Sequence, residues 1–430
     1  MAEEIIIVEG NGVLAGEVAV SGAKNSALKL IAAALLGQGE TLVRNVPLIS
    51  DISIMSEVLR RLGATVERDG HTLVVDTTDV EQFETPYDLV SKMRASISVL
   101  GPLVGRFGRA RVAMPGGCQI GARKIDMHLV GLEALGVEFT IDHGFLEART
   151  PNGLVGADVV LDFPSVGATE NLLMAAVTAK GTTVLENAAR EPEIVDLANM
   201  LVSMGAKVAG AGSSIIEVEG VPLSSLHPCD HTTVGDRIEA GTFLVGGALT
   251  GGPVTVRGID PSYLRVALMK LAAMGCEVQT GADWVTVSRT RPLIPIDIQT
   301  LPHPGFPTDL QAQFMLLAAR AEGVSVITEN VFENRFMFAS ELIRMGADIT
   351  IEDHHALVRG VAGLQGADVS STDLRAGAAL VLAGVSAEGQ TRVHNIGHID
   401  RGYEDYVGKL CDLGACVRRA PVDGMPDICG

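Results

Sequence analysis

Leu62-Gly63-Ala64-Thr65-Val66-Glu67-Arg68-Asp69-Gly70-His71-Thr72-Leu73-Val74-Val75 closes one amphipathic run and opens an alternating one. Gly63 sits where a left-handed residue ends a helix. Alternation on both sides of Asp69-Gly70 marks a hairpin with a type I′ turn. The phrase recurs. An amphipathic run, then Leu-Gly or Met-Gly, then a strand appears at Gly63, Gly136, Gly205, Gly275, Gly346 and Gly414. Successive spacings are 73, 69, 70, 71 and 68 residues. Five copies continue into a hairpin-like alternation, as in Glu277-Val278 through Val285-Thr286-Val287. The sixth decays into Pro421, Gly424 and Pro426, as a chain end can.

Each unit carries a second, earlier helix of another kind. These runs are Ala27–Leu36, Ala95–Val104, Asn171–Ala179, Ala240–Leu249, Leu310–Ala321 and Leu374–Ala387. They are apolar nearly all round, so burial on every side is expected. Asp51–Leu62, Glu191–Met204 and Phe332–Met345 keep a polar face and read as helices half-open to water. Six enclosed helices exceed one core. The expected fold is therefore α/β with two inside-out, barrel-like lobes of three repeats each, buried parallel helices being wrapped by sheets and amphipathic helices. In a doubly wound α/β protein the strands would carry the uniform apolar runs instead.

Composition narrows the function. The chain has 430 residues, a net charge of −19, 47% hydrophobic and 4% aromatic residues. Without a run of Lys or Arg longer than two, nucleic acid and anionic lipid are not expected partners. The acidic start is no signal peptide, and no stretch reads as a membrane span. Cys118, Cys229, Cys276, Cys411, Cys416 and Cys429 show no metal-ligand spacing. A cytoplasmic chain with reduced thiols is expected.

Charge gathers where the enclosed helices begin: Lys24-Asn25, Arg94, Thr169-Glu170, Asp236-Arg237, Thr308-Asp309, and Asp373 with Arg375. Capping explains Thr308 and Asp373. It does not explain Lys24 or Arg94, because a cation at a helix N-terminus is unfavourable unless an anion answers it. Arg237 stays open, since Glu239 could pair with it. Parallel helix N-termini facing a cleft would bind phosphates and carboxylates. Met114-Pro115-Gly116-Gly117-Cys118-Gln119-Ile120-Gly121-Ala122-Arg123 adds a cysteine on a Gly-Gly loop near a guanidinium. It reads either as an ordinary glycine-rich turn or as a mobile loop carrying an acidified thiol. His128, His398 and the His354-His355 pair read as structural, Trp284 and Phe314 as core, and Cys411 and Cys416 as packing or surface thiols. Glu191 and Asp236 are open between lining the cleft and ion pairing.

Seven ordered blocks between Gly10 and Gly414 carry a resemblance: Ser21–Asn25, Pro115–Arg123, Pro164–Glu170, Asp236–Thr242, His303–Asp309, Phe332–Phe336 and His398–Glu404. With them the chain resembles the UDP-N-acetylglucosamine 1-carboxyvinyltransferase family of enolpyruvyl transferases. The resemblance implies two lobes, residues 24–233 and residues 1–23 with 234–430, the first ~20 residues crossing over to complete the second lobe. It implies transfer of the enolpyruvyl group of phosphoenolpyruvate to the 3′-hydroxyl of UDP-N-acetylglucosamine, which begins peptidoglycan precursor synthesis. Cys118 would be the general acid, able to hold a substrate adduct and to be alkylated by epoxides of the fosfomycin type. Asp309 would be the base, with Lys24, Arg123 and Arg401 around phosphoenolpyruvate. Nucleotide-sugar contacts would come from Asn25, Arg94, Arg123, Lys124, Ile125, Asp126, Met127, Ser165, Val166, Gly167 and Val331. Asp373 and Arg375 would lie near the cysteine. No metal or organic cofactor is implied. Lys29 and Lys124 stand where proline is expected, and Gly235 also replaces a common proline. The competing readings are the sister transferase acting on shikimate 3-phosphate, a non-catalytic sugar-nucleotide sensor, and a redox-sensing thiol protein. The oligomeric state stays open.

Overall fold

All six repeat glycines adopt φ between +90° and +106°, the left-handed cap that a side chain would strain. The computed structural model describes residues 4–85, 87–90, 94–114 and 125–422. Within them the five alternating stretches are antiparallel hairpins, the first pairing Thr65–Asp69 with Thr72–Asp76. The sixth differs. Cys416–Pro421 pairs antiparallel with the N-terminal strand Glu4–Glu9, which also pairs with Gln390–His394. Glu4–Glu9 thus supplies the hairpin partner missing from the last repeat. Gly16–Ala19 likewise lies parallel to Val254–Arg257.

Six enclosed helices are present among the described residues: α1 (Lys24–Ala33), α2 (Leu100–Phe107), α3 (Val166–Ala176), α4 (Arg237–Thr250), α5 (Gln311–Ala318) and α6 (Leu374–Ser386). Short 3₁₀ turns extend three of them: Ala34–Leu36 follows α1, Arg94–Val99 precedes α2 and Thr308–Leu310 precedes α5. Every residue of α5 is buried, as are Arg237–Leu249 of α4 and Arg375–Val385 of α6. Helices apolar on every side go inside because each face removes aliphatic surface from water, at roughly 25 cal/mol per Å².

The chain divides into two compact units. One runs from Gly22 to Val234 and the other joins the chain up to Ser21 to the part from Gly235 onward. Each has its own apolar core. In the second unit α4, α5 and α6 pack on one another. In the first, α2 and α3 approach so closely that a Cβ on Gly101 would lie 2.3 Å from the Asn171 carbonyl oxygen. Arginines close the other ends of these helices. Arg106 donates to the carbonyls of Leu35 and Gly37, and Arg289 to those of Ala248 and Leu249. That is the favourable placement of a cation on a helix dipole.

Two expectations need correction. Only Ala339–Arg344 of the expected helix Phe332–Met345 is α-helical, the preceding residues being turns. Trp284 is half-buried rather than core: its ring lies over Gly281, where a Cβ would come within 2.0 Å of the indole nitrogen. Phe314 is in the core, and Cys411 and Cys416 are exposed.

Candidate active site

In the unit from Gly235 onward, Asp236 and Asp373 cap α4 and α6. Asp236 accepts from the backbone of Ile238 and Glu239, and Asp373 from Arg375 and Ala376. Thr308, expected as a cap, is not one. Its hydroxyl donates to Glu329 at 2.8 Å. Glu329 also accepts from Thr300 and from the backbone of Val331 and Phe332. This buried carboxylate therefore shapes both the turn entering α5 and the loop holding Val331.

Asp309 stands on the turn that leads into α5. Arg335 donates to Oδ1 at 2.9 Å, and Arg375 faces Oδ2 at 3.3 Å. The Asp309 side chain keeps 25% exposure, while Arg335 and Arg375 keep 4% and 2%. Solvent thus reaches the carboxylate but hardly the cations behind it. Nη1 of each arginine makes no hydrogen bond among the described residues. Unused donors at such depth are costly, so they favour any anion that reaches them.

A polar layer beneath holds Arg375. Tyr403 lies under its guanidinium, 5.2 Å from the ring centre. The Tyr403 hydroxyl meets Thr242 of α4 at 2.9 Å, and the Gln313 amide of α5 donates to both hydroxyls. The first turns of α4, α5 and α6 therefore converge. Burial alone would strip the charge from Arg375, but the Tyr403 oxygen, Asp309 and Asp236 outweigh it and raise the guanidinium's pKa. Arg401 ends the 3₁₀ turn Ile396–Arg401. Burial, then the nearby Arg401 charge, lowers the His398 pKa, and Asp373 opposes them. Glu239 does not settle Arg237, because its carboxylate is taken by Lys409 at 2.6 Å and by the Ser21 backbone at 2.8 Å.

In the unit Gly22–Val234 Lys24 and Lys29 are answered by carboxylates of that unit. Lys24 is 2.8 Å from the buried Asp51, which is the anion its helix position requires. Ser26 donates to Asp196, which also meets His231 at 2.7 Å and accepts from the Val234 backbone. Lys29 lies 3.0 Å from Glu170 of α3. Burial pushes Glu170 up to about 7; Lys29 opposes this, while Glu193 and Glu191 add to it. Ser165 caps α3 by accepting from Ala168, so Thr169 lies inside the helix and accepts instead from the Ala189 backbone. His128 sits against Gly167 and meets Asn171 at 3.0 Å. Asn171 in turn accepts from Gly101 and donates to the Ile97 carbonyl. Ile125 precedes the helix Asp126–Ala134, where Met127 donates to Asp126. Arg94 opens its 3₁₀ turn, but its side chain is outside the described residues, as are Cys118, Arg123 and Lys124.

Sequence reasoning assigned no role to Arg335, Glu329, Gln313, Thr242 or Tyr403. Arg335, Thr242 and Tyr403 lie inside blocks it had singled out, and for Arg335 a cation between aromatics was the available signal. Glu329 and Gln313 gave none.

A family model described as EPSP synthase (3-phosphoshikimate 1-carboxyvinyltransferase) matches residues 8–410. UDP-N-acetylglucosamine 1-carboxyvinyltransferase of Desulfatibacillum aliphaticivorans is 52% identical over 96% of this chain and 99% of its own. The Corynebacterium jeikeium protein of that name is 52% identical over 97% and 99%. Among solved structures, the enolpyruvyl transferase NikO from Streptomyces tendae superposes with TM-score 0.88 at 31% identity, covering 98% of this chain and 99% of that one. EPSP synthase from Acinetobacter baumannii shares the fold, with TM-score 0.74 at 18% identity over 97% and 100% of the two chains. The chain belongs to this family of carboxyvinyl transferases, and its half-identical relatives within it are UDP-N-acetylglucosamine 1-carboxyvinyltransferases.

Proposed function

We propose that this protein transfers the enolpyruvyl group of phosphoenolpyruvate to the 3′-hydroxyl of UDP-N-acetylglucosamine, the entry step to peptidoglycan precursors. The carrying observation for the chemistry is Asp309 held between Arg335 and Arg375, each with an unused donor. The acceptor follows from relatives of that name at half identity, against under a fifth for the EPSP synthase structure.

In the proposed reaction C3 of phosphoenolpyruvate gains a proton from Cys118. The acceptor oxygen bonds to C2 as Asp309 takes the hydroxyl proton. The tetrahedral intermediate then loses a C3 proton, the bond from C2 to the phosphate oxygen breaks, and phosphate leaves. Lys24, Arg123 and Arg401 balance charge on phosphate and carboxylate while this happens. Asn25, Arg94, Lys124, Ile125, Asp126, Met127, Ser165, Val166, Gly167 and Val331 contact the nucleotide sugar, and Asp373 and Arg375 border the reacting centre. These groups divide between lobes 24–233 and 1–23 with 234–430. Both substrates are small molecules, and we place the reaction in the cytoplasm. No helix of the described residues is long and apolar enough to cross a membrane.

Phosphate release from phosphoenolpyruvate tests the reading. Turnover with UDP-N-acetylglucosamine and none with shikimate 3-phosphate is expected. The reverse preference would assign the sister reaction. Sugar-nucleotide binding with no turnover on either acceptor would make the chain a sensor.

A further inference from the structure

Lys29 sits one turn beyond Asn25 on α1, and its ammonium has two partners. Nζ is 3.0 Å from Glu170 Oε2 and 3.4 Å from the Asn25 carbonyl oxygen. The Glu170 side chain is fully buried, and its Oε1 has no hydrogen-bond partner among the described residues. Lys29 and Glu170 therefore form a close ion pair. The lysine opposes the burial of Glu170, whereas Glu191 and Glu193 repel that carboxylate. Lys29 is the cation at contact distance among the described residues, and without it burial would drive Glu170 to keep a proton and the link between the helices would be lost.

The two helices tied in this way each begin with residues assigned above to the nucleotide sugar. Asn25 opens α1 next to Lys24, and Ser165, Val166 and Gly167 open α3. Other links fix the neighbouring spans. Lys24 is pinned by Asp51 and Ser26 by Asp196, both independent of α3. Asn171 ties α3 to α2. The Lys29–Glu170 contact joins α1 directly to α3.

We propose that Lys29 and Glu170 form a positioning pair that sets the separation of Asn25 from Ser165–Gly167, and through it the affinity for the sugar nucleotide. The proposal rests on the functional reading above. It concerns a lysine that stands where the resembling family leads one to expect proline. Neither residue touches substrate in this account. Each acts through the helix start it holds.

Steady-state phosphate release by the full-length protein tests the pair, with Lys29→Met, Lys29→Arg and the charge-neutral double variant Lys29→Met/Glu170→Gln. Lys29→Met should raise KM for UDP-N-acetylglucosamine about tenfold, while kcat and KM for phosphoenolpyruvate stay within about twofold. Lys29→Arg should restore the wild-type KM. The double variant carries no ionisable group at either position, so it should fold even if Lys29→Met does not, and it should still show the raised KM. An unchanged KM in a folded double variant would overturn the pairing role. So would a loss of kcat in step with both KM values, which marks a scaffold residue. If the wild type itself releases no phosphate with this acceptor, the functional reading falls and this inference with it. Wild-type turnover with an indifferent double variant removes the inference alone.

Discussion

The helix ends of the two units differ in the sign of what they leave unmatched. In the unit Gly22–Val234 Lys24 meets Asp51 and Lys29 meets Glu170, both carboxylates of the same unit. There Glu170 Oε1 has no hydrogen-bond partner among the described residues. In the unit from Gly235 onward, one carboxylate, Asp309, faces two guanidinium groups, and each keeps a donor in reserve. A cation at a helix N-terminus is therefore not by itself a binding signal. What counts is whether its counter-charge is built in or must arrive with a ligand.

Removing the single carboxylate should do most damage. Asp309→Asn should lower kcat for phosphate release by about 10²–10⁴-fold, the range for loss of a general base. A kcat within tenfold of wild type would make Asp309 a mere counter-ion and erase the contrast between the units. Next comes the layer that aims Arg375. Tyr403→Phe deletes the hydroxyl shared by Thr242 and Gln313 and should cost about 1–2 kcal/mol in urea unfolding. A midpoint equal to wild type would show that the layer does not hold the arginine.

The smallest effect concerns pH. Burial pushes Glu239 up to about 7 from its ordinary value of 4.5; Lys409 opposes this and Asp236 adds to it. Between those two pH values the folded chain binds a proton that the unfolded chain has released. Glu239 therefore makes stability fall as pH rises through that window, and its contribution levels off above about 7. Glu239→Gln should flatten the fall by on the order of 1 kcal/mol when unfolding is compared at either end of the window. An unaltered slope would show that Lys409 and Ser21 hold the carboxylate ionised throughout.

Much of the scaffold was readable because it depends on local rules. Each enclosed helix lies on or beside a run that is apolar on all faces, and each repeat glycine takes the positive φ its position demanded. What failed depended on partners far along the chain. Thr308 has cap chemistry, but its hydroxyl goes to Glu329. Phe332–Met345 has helical periodicity, yet only Ala339–Arg344 is helical, and Arg335 in the turns before it reaches Asp309. Asp51 satisfies Lys24 from a helix that gave no hint of it. The sixth hairpin could not be found near Gly414 because its second strand is Glu4–Glu9. Candidate acid, base and clamp residues were legible only through the seven resembling blocks, since nothing in local spacing distinguishes a catalytic aspartate from a cap.

The difference between a built-in and an awaited counter-charge is tested most directly by titrating phosphoenolpyruvate at saturating UDP-N-acetylglucosamine. The proteins to compare are wild type, Arg335→Met and Lys29→Met. The account predicts that Arg335→Met raises KM for phosphoenolpyruvate about 10–100-fold while Lys29→Met leaves it within about twofold. Equal KM values in all three, or a larger rise in Lys29→Met, would contradict it.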